Sequence, residues 1–116
     1  MFDFQKLLIY QKSKQFHRNA KTVISRNSFN RSINDQLFRA SLSIVLNIAE
    51  GSGRFSKLDR RRFYVIARGS VFECIAIYDI LHDERSIDEA AFLSLQAEGE
   101  ELSRILYSLI KSLSRE

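Results

Sequence analysis

The stretch from Gln36 to Arg54, QLFRASLSIVLNIAEGSGR, limits the possible folds more than any other part of the chain. Wound as a helix at roughly 100° per residue, it gathers its polar side chains on one narrow stripe: Gln36, Arg39, Ser43, Asn47, Glu50 and Arg54. Nearly everything else is apolar. One seam runs Ile33, Leu37, Ala40, Ile44; a second, one residue over, runs Phe38, Leu42, Val45, Ala49. An ordinary surface helix has one such face to bury. Two adjacent seams need cover on both sides, so this segment predicts a helical assembly larger than one small bundle.

The rest of the chain agrees with a helical reading. Its 116 residues make one domain, large enough to build a core without staples. There is no proline and there are only four glycines, while apolar residues reach 45% with nine Phe and four Tyr. That composition excludes disorder and favours helix throughout. The single cysteine, Cys74, has no internal disulfide partner, which predicts a reducing, cytoplasmic setting. The N-terminal MFDFQKLLIYQ carries acidic and polar residues within its apolar run and does not read as a signal peptide. No apolar run approaches the roughly 20 residues that cross a bilayer.

Four helices are predicted, over about residues 4–25, 33–51, 57–82 and 87–114. On the first, Ile9, Phe16, Ala20 and Val23 share a stripe with Phe2, and Lys14, Arg18 and Lys21 form a basic one. A polar connection at 26–31 leads to Ser32, the expected cap of the second helix. That helix should close through the left-handed conformation glycine allows, at Gly51-Ser52-Gly53. Ser56 with Asp59, and Ser86 with Glu89, have capping-box spacing for the third and fourth helices. The third should bury Phe63, Ala67, Ser70, Cys74, Ile77 and Leu81. The fourth carries the cleanest repeat, Phe92, Leu95, Gly99, Leu102, Leu106, Leu109, Leu113, a coiled-coil-like seam. Short turns between four helices imply an all-α, antiparallel up-down-up-down bundle.

Charge is divided unevenly. Residues 1–72 hold fourteen Lys/Arg against four Asp/Glu, and residues 73–116 hold four against ten. Such separation points to a polyanion partner or to subunits meeting positive face to negative. The densest cationic run is Arg54, Lys57, Arg60, Arg61, Arg62 and then Arg68. Within it Lys57, Arg61, Tyr64 and Arg68 fall at spacings of 4, 3 and 4. Phosphates would find charge and N–H donors there, and an exposed Tyr64 could stack on an unpaired base. A solvated helical face is the plain alternative for a stripe of this kind.

Catalysis finds little support. His17 and His82 lie on different helices without a neighbouring ligand at metal spacing. Glu-x-x-His pairs of a di-iron bundle are missing. Cys74 lies on a core seam and reads as packing, while the glycine turn lacks P-loop spacing. The sequence thus predicts no enzyme, no cofactor and no metal. Arg39, Asn47, Glu50 and Glu73 are polar groups among apolar neighbours, expected to form a network that fixes helix register.

The run Gln36-Leu37, Arg39-Ala40, Ser43-Ile44, Asn47-Ile48-Ala49-Glu50-Gly51, Gly53-Arg54, then Phe63 and Ile66-Ala67-Arg68-Gly69-Ser70 with Glu73, resembles the four-helix-bundle proteins of the 23S ribosomal RNA intervening sequences. Phe4, Leu7 and Tyr10-Gln11 fit as well, so the resemblance covers nearly the whole chain. It implies a bacterial four-helix bundle, commonly a ring-like pentamer. The chain is also similar to the accessory variability determinant of diversity-generating retroelements. That likeness implies the same fold, a basic surface, and binding of nucleic acid and a reverse transcriptase. The expectation is a non-enzymatic, cytoplasmic homo-oligomer that binds RNA or DNA through Lys14, Arg18, Lys21 and the Arg54–Arg68 cluster with little sequence preference. The alternative is a scaffold or adaptor whose charged faces dock subunits or a protein partner, acidic residues such as Glu98, Glu100 and Glu101 of a neighbour covering the basic stripe. A membrane-surface binder is weaker, because it needs bulky apolar residues exposed beside the basic helix and packing was expected to use them.

Overall fold

Four apolar seams fold against one another in the computed structural model, which describes residues 1–27 and 30–114. The helices are α1 (Leu8–Arg26), α2 (Arg31–Ser52), α3 (Lys57–Asp83) and α4 (Glu89–Leu113). No strand occurs among the described residues. Each helix packs on its two neighbours, α1 on α2, α2 on α3, α3 on α4 and α4 back on α1, while the diagonal α1 and α3 meet only through core side chains such as Phe16 and Tyr78, edge-on at 6.1 Å. The result is the expected antiparallel bundle, 46 × 26 × 22 Å. The shared core is built from Ile9, Phe16, Ala20 and Val23 of α1, Leu37, Ala40, Ile44 and Ile48 of α2, and the α4 seam from Phe92 to Leu106.

The α3 seam departs from expectation by one residue at two points. Tyr64 and Val71 are buried where Phe63 and Ser70 were expected, alongside Ala67, Cys74, Ile77 and Leu81. A 3.6-residue helix drifts against a strict seven-residue repeat, and α3 must serve both α2 and α4. Phe63 and Ser70 turn to the α2 side. Ser70 Oγ bonds Ser43 Oγ at 3.0 Å, and Asn47 Nδ2 donates to the Ser43 carbonyl at 2.8 Å and to Ser43 Oγ at 3.0 Å. This serine–asparagine cluster is a polar link between α2 and α3. The network expected from Arg39, Asn47, Glu50 and Glu73 does not form. Arg39 and Glu73 face solvent, and Glu50 pairs with Arg54 at 3.2 Å. On the other side, α1 is tied to α4 by Lys12–Glu101 at 2.7 Å and by Asn19 Nδ2 donating to both Glu98 carboxylate oxygens at 2.9 Å.

Helix ends show where local signals mislead. Residues 3–6 form a 3-10 turn, and extended Leu7 separates it from α1, so the first helix starts later than expected. The cause is aromatic: Phe4 packs edge-on against Tyr10 at 4.9 Å, folding the segment back on α1 and leaving Phe2 exposed. Asn30, not Ser32, caps α2 by accepting from the Ile33 N–H. Residues 28 and 29 of the 26–31 connection lie outside the described residues. Ser56 caps α3 as expected. Asp88 rather than Ser86 caps α4, accepting from Ala91 N–H at 2.8 Å. Ser86 instead completes the end of α3, its N–H bonding the Leu81 carbonyl at 2.8 Å while Arg85 N–H bonds His82. Arg85, at φ 60°, is the described non-glycine residue in the left-handed region.

The second α2 seam is only half covered. Val45 is buried and Leu42 and Ala49 are half-buried, but Phe38 stays 42% exposed, and Leu46 beside the seam is exposed as well. More open still is the outer face of α3, where Leu58, Val65, Ile66, Phe72 and Ile80 are all exposed.

Candidate nucleic-acid interface

Because the helices alternate in direction, the α2–α3 turn and the end of α4 share one pole of the bundle. Gly53 caps α2 with φ −90°, an ordinary right-handed conformation, so the expected left-handed glycine ending is not used. Gly51 is small for a different reason. It is buried against α3, and a Cβ there would meet Phe63 Cβ at 2.9 Å and the Tyr64 ring at 3.1 Å. Two residues of connection follow before Ser56. Arg60 reaches back across them, Nε donating to the Arg54 carbonyl at 2.7 Å. Arg61 Nε donates to Ser114 Oγ at 2.7 Å, pinning the start of α3 to the end of α4.

The fold gathers Arg54, Lys57, Arg60, Arg61 and Arg62 around this turn. Arg54 lies over the Phe63 ring at 4.7 Å, and Arg62 stays exposed with Asp59 3.8 Å away. Arg68, two turns further on, belongs to a groove between α3 and α4. Its Nε donates to the Ser103 carbonyl at 3.3 Å, and its guanidinium lies 4.8 Å from the Phe72 ring and 5.4 Å from Tyr107. That groove, about 700 Å³ in its larger part, has Val71, Phe72, Ile75, Glu100 and Arg104 in its walls and opens to solvent. Lys14, Arg18 and Lys21 are not part of either surface. They sit on α1, diagonal to α3, with Lys14 over Tyr10 at 5.0 Å and Arg18 bonded to Gln15 at 2.8 Å.

Tyr64 needs correction. It is buried, and its hydroxyl lies 2.8 Å from Ser52 Oγ. Ser52 already donates to the Ile48 carbonyl, so Tyr64 is the donor of that pair and has no free ring face for a base. The exposed aromatic at this pole is Phe55, whose side chain stands wholly in solvent, with Leu58 also exposed one turn on. Sequence reasoning passed over Phe55. Its position between Arg54 and the Ser56 cap, outside both helical seams, was the signal.

The titratable side chains elsewhere are occupied by packing. His17 Nδ1 is hydrogen-bonded to Ser41 Oγ at 2.8 Å, and that hydroxyl also lies 3.2 Å from the Phe38 carbonyl. Burial, then Lys21 and Arg18, lower the proton affinity of His17 below the ordinary 6.5. His82 stacks on Phe92 at 4.3 Å and meets Glu89 at 3.1 Å. Burial, helped by Glu73, pushes the Cys74 thiol up to about 12, far from a thiolate at neutral pH. Among the described residues no group of three or more His, Cys, Asp or Glu is placed to hold a metal ion, and no helix is long and apolar enough to cross a membrane.

Fold and surface together define a four-helix bundle with a cationic pole. The chain belongs to the family of 23S rRNA-intervening sequence proteins, which it matches over residues 5–108. It is similar in structure to a protein of unknown function from the S23 ribosomal protein family of Bacteroides thetaiotaomicron VPI-5482. The two share a TM-score of 0.84 and 21% identity, over 90% of this chain and 99% of the other. No curated protein matches the chain.

Proposed function

We propose that this protein acts by binding rather than catalysis, holding RNA or DNA through the cationic pole while self-associating through the outer face of α3. The observation that carries the reading is the convergence of Arg54, Lys57, Arg60, Arg61 and Arg62 on one turn, where Glu50 and Asp59 are the acidic partners among the described residues. Their guanidinium forks suit phosphate oxygens. The competing idea is that acidic residues of a neighbouring subunit, such as Glu98, Glu100 and Glu101, cover these cations; against it, Glu101 is paired with Lys12 and Glu98 accepts from Asn19 within their own protomer. The name of the family, with its reference to ribosomal RNA, adds support. The ring contacts of His17 and His82 and the protonated thiol of Cys74 favour a non-enzymatic role, and the lone thiol suits a cytoplasmic setting.

Self-association draws support from the α3 face. Gly69 lies at its centre with nothing within 4 Å of where a Cβ would stand, so no packing inside the protomer asks for a glycine there. A mid-helix glycine costs about 1 kcal/mol relative to alanine. Close approach of a second copy gives that cost a use. Five copies in a ring is the stoichiometry expected from the family resemblance.

Binding should weaken steeply with salt, with a log–log slope near 0.7 to 0.9 per contacted phosphate. Reversing Arg60, Arg61 and Arg62 together to Glu should abolish it, as read by fluorescence anisotropy with a labelled oligonucleotide. Affinity indifferent to both salt and the reversal would remove the cationic pole as the site.

A further inference from the structure

We infer that the cationic pole selects unpaired over paired nucleic acid, using Phe55 as a stacking platform for a single base. The inference rests on the binding reading above and specifies the ligand of that same site. A phenyl ring left wholly in water needs a reason, because a turn residue with no packing role is commonly polar. Phe55 packs into neither helix seam and is followed at once by the Ser56 cap. It is also held on a fixed base. Gly53 N–H bonds the Glu50 carbonyl and Arg54 N–H the Gly51 carbonyl, both at 3.1 Å, and the Arg60 side chain clamps the Arg54 carbonyl. The turn therefore presents the ring without a prior ordering step, which lowers the entropic cost of stacking.

The flanking chemistry fits a strand rather than a duplex. Arg54 directly precedes Phe55, and Lys57, Arg60, Arg61 and Arg62 follow it within seven residues, so the same turn that presents the ring offers cations to a phosphate backbone. A base can reach the ring only if it is unstacked, as in a single strand, a loop or a strand end. A base-paired helix offers the same cations its phosphates but no free base face. A lipid surface also pairs cations with apolar groups, but the exposed α3 face that starts at Leu58 is assigned above to contact between copies, which leaves Phe55 as the apolar group of the turn itself.

The test compares a short, unstructured labelled oligonucleotide with the same sequence annealed to its complement, at fixed low salt, on the full chain. Phe55→Ala should weaken the single strand roughly ten- to hundredfold. Duplex affinity, the salt slope and the melting temperature should not change, since neither the phosphate contacts nor the core is touched. Phe55→Trp should keep single-strand affinity. Because the chain contains no tryptophan, that variant carries the sole indole, and its emission should be quenched by the single strand and not by the duplex. Equal loss on both ligands, no loss on either, or a wild-type preference for duplex would overturn the inference. So would a change in particle mass on Phe55→Ala, which would make the ring a contact between copies, or Phe55-dependent binding to phosphatidylserine vesicles in place of the oligonucleotide. If Phe55→Ala is silent while the triple arginine reversal abolishes binding, only the stacking inference falls. If the wild type binds neither oligonucleotide, both readings fall.

Discussion

Two glycines with the same side chain stand for opposite constraints. Gly51 is enclosed, with Phe63 and Tyr64 where a methyl group would go; Gly69 is open. Gly51→Ala should therefore lower stability by roughly 1–3 kcal/mol, the usual range for overpacking. Gly69→Ala should raise the stability of the dilute protomer by about 1 kcal/mol, the helix-propensity difference. Thermal melts of the two variants check both signs. Neither residue could be sorted from the sequence, which put Gly51 in the turn that closes α2 and Gly69 inside α3. What separates them is the distance to a second element. The same holds for the aromatics: Tyr64 and Phe55 lie nine residues apart in one basic run, and only the phase of α3 against α2 sends the first inward and leaves the second outside.

At the scale of the helices, periodicity was legible and boundaries were not. The α4 repeat from Phe92 to Leu106 is buried as expected, since a face made of Leu and Phe at alternating spacings of 3 and 4 leaves little freedom of phase. Caps were harder because candidates crowd together. Asn30 stands two residues before Ser32, and Asp88 two after Ser86; packing of the flanking turns decides which side chain reaches an N–H. At the end of α3 that choice leaves Arg85 left-handed, at a cost of roughly 1–2 kcal/mol for an ordinary residue. Glycine avoids this strain but loses about 0.5–1 kcal/mol in chain entropy. Arg85→Gly should thus stabilise by up to about 1 kcal/mol, seen as a higher urea midpoint at unchanged m-value. A lower midpoint would mean that the arginine side chain contributes more than its backbone strain.

For the molecule as a whole, the sequence exposed the surplus of apolar surface but not its address. The surplus was expected on the second α2 seam, where Val45 is nonetheless buried; it lies mainly on α3. Ile66 and Ile80, 14 residues apart on that helix, face outward together, 47% and 46% exposed. Ile66→Glu with Ile80→Glu should bring the light-scattering mass down to that of one 13.5 kDa chain with helicity retained. A large particle persisting in the double variant would move the contact elsewhere. The basic run of the sequence is divided between the α2–α3 turn and the α3–α4 groove, and the α1 stripe lies apart from both because α1 and α3 are diagonal, which no single helix reveals.

An even number of alternating helices also returns the backbone to its starting side, and the Arg61–Ser114 bond marks where it arrives. A label placed near Ser114 would share the pole that carries Phe55 and its arginines and would compete with them for a ligand. The hairpin at Arg85, on the far side of a 46 Å body, is the safer attachment point for a label or an immobilising linker.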